Sequence, residues 1–267
     1  FSLSKNSVVT PSDRQNITNR DIFVHAIRPV HDNMECAKIF MAKSFIYLIP
    51  RTLLFNERTS IVYHASEADI LLKLNEILVQ FEGTHSFHNF TTRSTSRLHH
   101  DVGRKQIDSN IVEIFSAGVD PNLPIIGMSG EEFYVIRIDG KEFLKHQICR
   151  MMGLVIAIML GFCDRDAIEK SFNSTLSTCI VEAPSSYCIL DCLRSHQGED
   201  NYSRMVKELD SLFEPHLDTC RMKILDEIAR IHREHCLFSE FIKELKNPAK
   251  QYFKLTRTSS SCALPLT

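Results

Sequence analysis

The sequence predicts an α+β fold, a mainly antiparallel sheet with helices packed on one face, followed by a helical C-terminal extension. Two observations carry this. Short apolar, β-branched runs alternate with amphipathic stretches in the order strand, strand, helix, strand, strand, helix, then paired strands. After about residue 200 the pattern turns polar with helical spacing.

The elements follow in chain order. Residues 1–20 are polar and contain Pro11, so they read as a loop or frayed start. Residues 22–30 and 42–49 are apolar and β-branched and read as strands, the second closed by Pro50. Residues 66–82 carry Ile70, Leu71, Leu74, Ile77 and Leu78 at helical spacing behind a Ser66 N-cap. Residues 83–103 read as a long polar connection, rich in His, Phe and Arg. Strands near 105–116 and 132–139 flank a Gly/Pro loop at 117–130. Gly140 precedes a helix at 141–160, and a short helix follows at 164–172. Weaker strands lie near 177–182 and 187–193. Three amphipathic segments fill 200–246, and the tail from Thr256 shows no periodicity. The expected organisation is a polar segment 1–20, a domain 21–195, a helical extension 196–250 and a disordered tail 251–267.

Composition sets outer bounds. The chain has 267 residues, 43% hydrophobic and 24% charged, enough to bury a core. A net charge of -2 neither supports nor excludes a nucleic-acid partner, because a basic groove can sit inside a neutral total. Position 1 is Phe, and the chain opens as an interior segment reads, so it is expected to be part of a longer protein. The nine Cys are scattered without a C-x-x-C pair and read as reduced, packed thiols. Cys188, Cys192 and His196 lie close together and could suggest zinc, as His85 and His88 could suggest a metal pair without a third ligand nearby, and no metal is expected. The apolar run 151–162 falls short of the roughly 20 residues that span a bilayer and reads as a buried helix, so no membrane partner is expected.

Three blocks bear a closer likeness. The first is residues 26–52, within which Ala42 to Thr52, AKSFIYLIPRT, follow an A-R-T-Y-x-Y-L-L-P-T pattern with substitutions. Residues 81–91, FEGTHSFHNFT, nearly repeat Y-x-G-T-H-N-F-H-N-F-T. Residues 133–161 match a strand followed by S-F-M-x-H-Q-I-R-K-M-V-G. In these blocks, spread over residues 20–195, the chain resembles the C-terminal portion of a eukaryotic tRNA pseudouridine synthase of the TruA family. Ala183 and Pro184 match a family A-P step before the last strand.

The resemblance implies isomerisation of uridine in RNA without a cofactor, started by a buried Asp that an Arg pairs with, while an aromatic ring packs on the flipped base. It implies tRNA or another structured RNA as partner, a monomer, and a nuclear or mitochondrial location. The family's Asp sits in a G-R-T-D stretch that this sequence lacks, so no catalytic residue is assigned. Asp21 begins a similar string but lacks the glycine and reads as a surface Asp at a strand start.

Substrate contact is expected at Phe45, Tyr47, Cys149 and Arg150. Phe45 stands at the family's Tyr, where a ring face stacking on uracil contributes about 1–3 kcal/mol; a core Phe is the other reading. Tyr47 shares its face of the strand. Cys149 stands at the family's Arg, and Arg150 one step later is turned by about 100° along a helix, so it does not simply replace the missing guanidinium. A carboxylate without that partner would be harder to ionise and a poorer nucleophile. RNA contact is expected from His85, Phe87, His88, Arg93, Arg97, Arg104, Lys145, His146 and Gln147, with a solvated loop and a wet helix end as alternatives. The alternative for the whole chain is an RNA-binding relic without catalysis.

Overall fold

The computed structural model describes residues 42–55, 66–91, 110–122, 125–128, 130–194, 222–247 and 256–257. The chain divides into two compact units, Ala42–Arg194 with Asp226–Thr267 and Phe1–Met41 with Ser195–Leu225. All described residues except 222–225 lie in the first. The expected strand at 22–30 and the helical segment at 200–221 lie outside the described residues.

The sheet is built on one long pairing. Strand β1 (Ala42–Pro50) runs antiparallel to β5 (Glu131–Lys141) from Ala42↔Lys141 to Pro50↔Phe133 without a register break. Around this pair stand β2 (Gly83–Ser86), β3 (Ile111–Val119), β4 (Ile125–Met128) and β7 (Cys188–Arg194), in the order β2-β3-β5-β1-β7 with β4 also on β5. Every pairing is antiparallel. Bulges interrupt the register at Ser44/Phe45 and at Ile114/Ser116.

Helix α1 (Glu67–Leu78) starts as its sequence predicts. The Ser66 hydroxyl accepts the Asp69 N–H and the Asp69 carboxylate accepts the Ser66 N–H, a reciprocal cap; the Ser66 hydroxyl's own donation to that carboxylate, and then the N–H, hold the Asp69 carboxyl below its ordinary range. Ile70, Leu74, Ile77 and Leu78 are buried. Asn75 fixes the helix to the sheet by accepting the Val119 N–H at 2.7 Å.

Helix α2 (Gln147–Met159) buries eleven of its residues, which explains its apolar sequence. It shares a sheet face with α1. Tyr47 and Tyr134 lie on that face by register, Tyr47 beside Cys149 of α2 and Tyr134 reaching Glu67 of α1. Among the described residues no helix is long and apolar enough to cross a membrane. The opposite face carries a polar group in which Arg137 bridges Asp120 and Asp191 and also donates to Ser44.

Helix α3 (Ala167–Phe172) is followed by β6 (Leu176–Ser177), which pairs with β8 (Thr256–Arg257). Thus the tail expected to be unstructured returns to the fold at least at Thr256 and Arg257. The extension is helical as expected, as α4 (222–235) and α5 (Leu237–Leu245). Phe238, Phe241 and Leu245 of α5 are buried, and Phe238 packs on Tyr187 with ring centroids 4.7 Å apart.

Several boundaries differ from the sequence reading. The helix expected from 141 begins at Gln147, because β5 stays paired with both neighbours through Lys141 and the chain then turns with positive φ at Glu142 and His146. The loop expected at 117–130 contains the end of β3 and all of β4. The polar connection from 83 begins as β2, whose edge pairing alternation alone does not reveal. The strand expected at 177–182 is paired only through Ser177. Beyond it the backbone turns to α2 instead, Ala183 N–H donating to the Cys149 carbonyl at 3.0 Å.

Gly153 makes that approach possible. A Cβ there would lie 1.9 Å from the Val181 carbonyl oxygen, a backbone atom with no freedom to yield. Gly153→Ala should therefore destabilise the chain by about 2 kcal/mol or more, against the gain of about 1 kcal/mol expected from helix propensity alone. Urea unfolding measures this, and an unchanged or raised midpoint would contradict the packing described.

Candidate functional site

Phe45 is half-buried on the helix-covered face of β1. Its ring meets Phe143 edge-on, at 5.2 Å and 83°, in the segment that leads into α2. Tyr47, two residues on, is fully buried, and its hydroxyl donates to the Pro184 carbonyl at 2.9 Å. Burial is the first cause that pushes its phenol well above the ordinary value. The expectation that Tyr47 touches substrate is corrected by this: a side chain with no exposed surface and an occupied hydroxyl is a core strut.

The GTHSFHNFT stretch closes on itself around aromatic rings. Phe81, Phe87 and Phe90 are fully buried and converge with Phe172 of α3, Phe87 lying 5.2 Å from Phe172 and 5.4 Å from Phe90. His85 stacks flat on Phe172 at 4.2 Å while its Nε2–H donates to the Glu82 carbonyl. His88 accepts the Ser86 hydroxyl at Nδ1 and donates from Nε2 to the Leu176 carbonyl at 2.9 Å. Asn89 donates to the Ser171 carbonyl and accepts the Thr178 N–H. These partners give the stretch a structural role. Phe87 has no ring surface left for a base, so its expected RNA contact is corrected, and the imidazoles of His85 and His88 are engaged within the chain.

The same stretch grips the start of α2. Thr91 Oγ1 donates to the Lys145 carbonyl at 3.1 Å, and Arg150 Nη1 donates to the Thr91 carbonyl at 2.7 Å. Arg150 is half-buried, and its Nε has no hydrogen-bond partner among the described residues. Its guanidinium reaches toward the 89–91 loop. Gln147 is fully buried, its amide oxygen accepting the Leu144 N–H at 2.8 Å, so it ties the lead-in to its own helix and does not face RNA as expected. His146 holds a left-handed backbone, φ 67, and its Nδ1 lies 2.7 Å from Glu182. Lys145 is exposed.

Cys149 is 7% exposed. The hydrogen bond from Cys188 is the main cause that eases ionisation of Cys149, while the same contact and burial push Cys188 far up. Arg93, Arg97 and Arg104 lie outside the described residues.

Phe45, the 85–91 stretch and the lead-in to α2 are thus joined by direct contacts around residues 143–150. Surface is left at Phe45, Lys145, His146 and Arg150. Two cavities lie elsewhere, at the Pro50 end of β1. One of about 410 Å³ is lined by Arg51, Phe55 and Glu132, and one of about 420 Å³ by Leu53, His232 and Phe238. Glu182, Asn89 and Thr91, which position the junction, were missed by sequence reasoning because two act through backbone carbonyls and the third through a partner 36 residues away. Arg230 of α4 is held between Glu227 and Glu234 on its own helix.

Residues 77–187 match the family model described as tRNA pseudouridine synthase. The human protein named pseudouridylate synthase 1 homolog is 28% identical over 197 residues, 73% of this chain and 41% of that protein. Its mouse namesake is 31% identical over 135 residues, 49% of this chain and 29% of its own length. A Schizosaccharomyces pombe protein named tRNA pseudouridine synthase 2 is 23% identical over 176 residues, covering 65% and 36%. The chain spans less than half the length of these curated relatives.

The division between core and surface is testable. Phe87→Ala should cost about 3–5 kcal/mol in urea unfolding, as for other fully buried rings, whereas Lys145→Ala should stay within about 0.5 kcal/mol. Comparable losses at both positions would contradict the assignment of Phe87 to the aromatic cluster.

Proposed function

We propose that this member of the tRNA pseudouridine synthase family supplies the uridine-holding half of an RNA-modifying isomerase that converts uridine in tRNA to pseudouridine. The observation that carries the reading is the junction around residues 143–150, where β1, the 85–91 stretch and the start of α2 are tied together and leave Phe45 and Lys145 with surface. The target base is flipped out of the RNA stack and held against Phe45, and the Lys145 ammonium meets backbone phosphate. No cofactor takes part, because the rearrangement exchanges one bond of the base for another. The partner is tRNA or a similarly structured RNA, the chain acts as a monomer, and its location is nucleus or mitochondrion.

The reactive carboxylate comes from sequence outside these 267 residues. Where the family pattern would set a guanidinium against it, this chain has Cys149, and Arg150 is committed to the Thr91 carbonyl. A desolvated carboxyl without its charge partner holds its proton more tightly and attacks less well. That substitution favours a second reading, an RNA-binding relic of the same family without catalysis.

One experiment separates them. The chain is joined to its upstream coding sequence, incubated with tRNA, and the digested nucleosides are resolved by chromatography. The first reading expects pseudouridine, with Cys149→Arg raising the rate at least about tenfold, equivalent to about 1.4 kcal/mol of transition-state stabilisation. Salt-sensitive tRNA binding with no isomer, in both the natural sequence and Cys149→Arg, selects the relic. Absence of any tRNA binding overturns both.

A further inference from the structure

His232 of α4 stands where the helical extension meets the sheet. Its Nδ1 lies 2.8 Å from the Tyr187 hydroxyl, in the short turn Ser185–Tyr187 ahead of β7. Its Nε2 lies 3.9 Å from the Glu131 carboxylate at the start of β5. The rings of Phe133 and Tyr187 meet the imidazole edge-on at 5.5 and 5.9 Å. Phe238 of α5 packs on the same Tyr187 ring, so both helices of the extension lean on one side chain. None of these residues takes part in the base-holding junction, and the inference stands apart from that reading.

We propose that His232 is a pH-sensitive latch: when its imidazole takes up a proton, the bond to Tyr187 is lost and α4 and α5 loosen from β5 and the 185–187 turn. The direction of that bond decides the matter. Tyr187 is buried, and burial is the first cause that pushes its phenol up to about 12, so it keeps its proton. Among the described residues its hydroxyl has no acceptor besides His232. The neutral imidazole therefore accepts at Nδ1 and carries its own proton on Nε2, toward Glu131. A proton added at Nδ1 turns that acceptor into a donor facing another donor. The charged and titratable groups around it come from each element it touches: Glu131 from β5, Tyr187 from the turn, Arg233 from α4 itself and Cys236 from the joint to α5. Glu131 is the opposite charge here, and at 3.9 Å it makes no hydrogen bond to the ring. Burial, joined by Arg233, outweighs its pull and holds His232 below the ordinary 6.5. The folded chain thus takes up this proton less readily than the unfolded one. The stability that the contact contributes is present above 6.5 and is lost as pH falls below it.

The test is hydrogen–deuterium exchange of the full 267-residue chain at about pH 7.5 and about pH 5.5, with rates corrected for intrinsic exchange. Protection in α4 and α5 should fall several-fold at the lower pH while β1 and β5 keep theirs. His232→Gln, which offers an acceptor but takes up no proton, should remove the difference. Tyr187→Phe should leave α4 and α5 loosened at both pH values. Equal protection of the extension at both pH values would overturn the proposal, as would an undiminished fall in His232→Gln. If either variant fails to fold, an NMR titration of the His232 ring in the natural chain decides. Its midpoint should lie below 6.5 and coincide with the loss of protection, and a midpoint at or above 6.5 would contradict the latch.

Discussion

The structure depends on how closely α2 lies on the extended segment 181–184. That segment spends its backbone hydrogen-bonding capacity on the helix and on β1, and Gly153 is the residue whose missing side chain permits the approach. Two further relations follow from it. His146 reaches Glu182, and Ala183 bonds the Cys149 carbonyl. A shift of one residue along α2 would turn Cys149 and Gly153 by about 100° and break both that bond and the close approach.

The 85–91 stretch serves the same end from the other side. Its rings bury themselves against Phe172, and with that anchorage Thr91 and Arg150 hold the entry to α2. The segment that resembles the family most specifically is therefore largely scaffold. Its histidines and phenylalanines fix a loop whose backbone carbonyls then act, and the surface available to RNA falls on neighbours such as Lys145 and Phe45. An exposed catalytic motif and a buried positioning motif can look alike in sequence, since both require fixed residue types at fixed spacing.

Much of the fold was legible in the sequence for identifiable reasons. Ser66 with Asp69 marked the start of α1, and the apolar run after Gln147 marked a helix buried nearly all round. The long strands β1 and β5 declared themselves by β-branched residues. Features set by distant pairing did not. Lys141 continues β5 because Ala42 and Glu113 hold it on both sides, and residues 178–184 leave the strand state because α2 offers nearer partners. In the site, Tyr47, Phe87 and Gln147 were read as contacts and are core. Nothing in their identities distinguishes a ring that meets a base from one that meets Phe172. Burial decides that, and burial is a property of the assembled chain.

Hydrogen–deuterium exchange of the chain with and without tRNA tests the central claim most directly. If residues 143–150 and the adjoining part of β1 form the RNA-holding surface, their amides should gain protection on binding while those of α5 keep their free-state rates. Protection confined to α4 and α5, with residues 42–46 and 143–150 unchanged, would contradict the account.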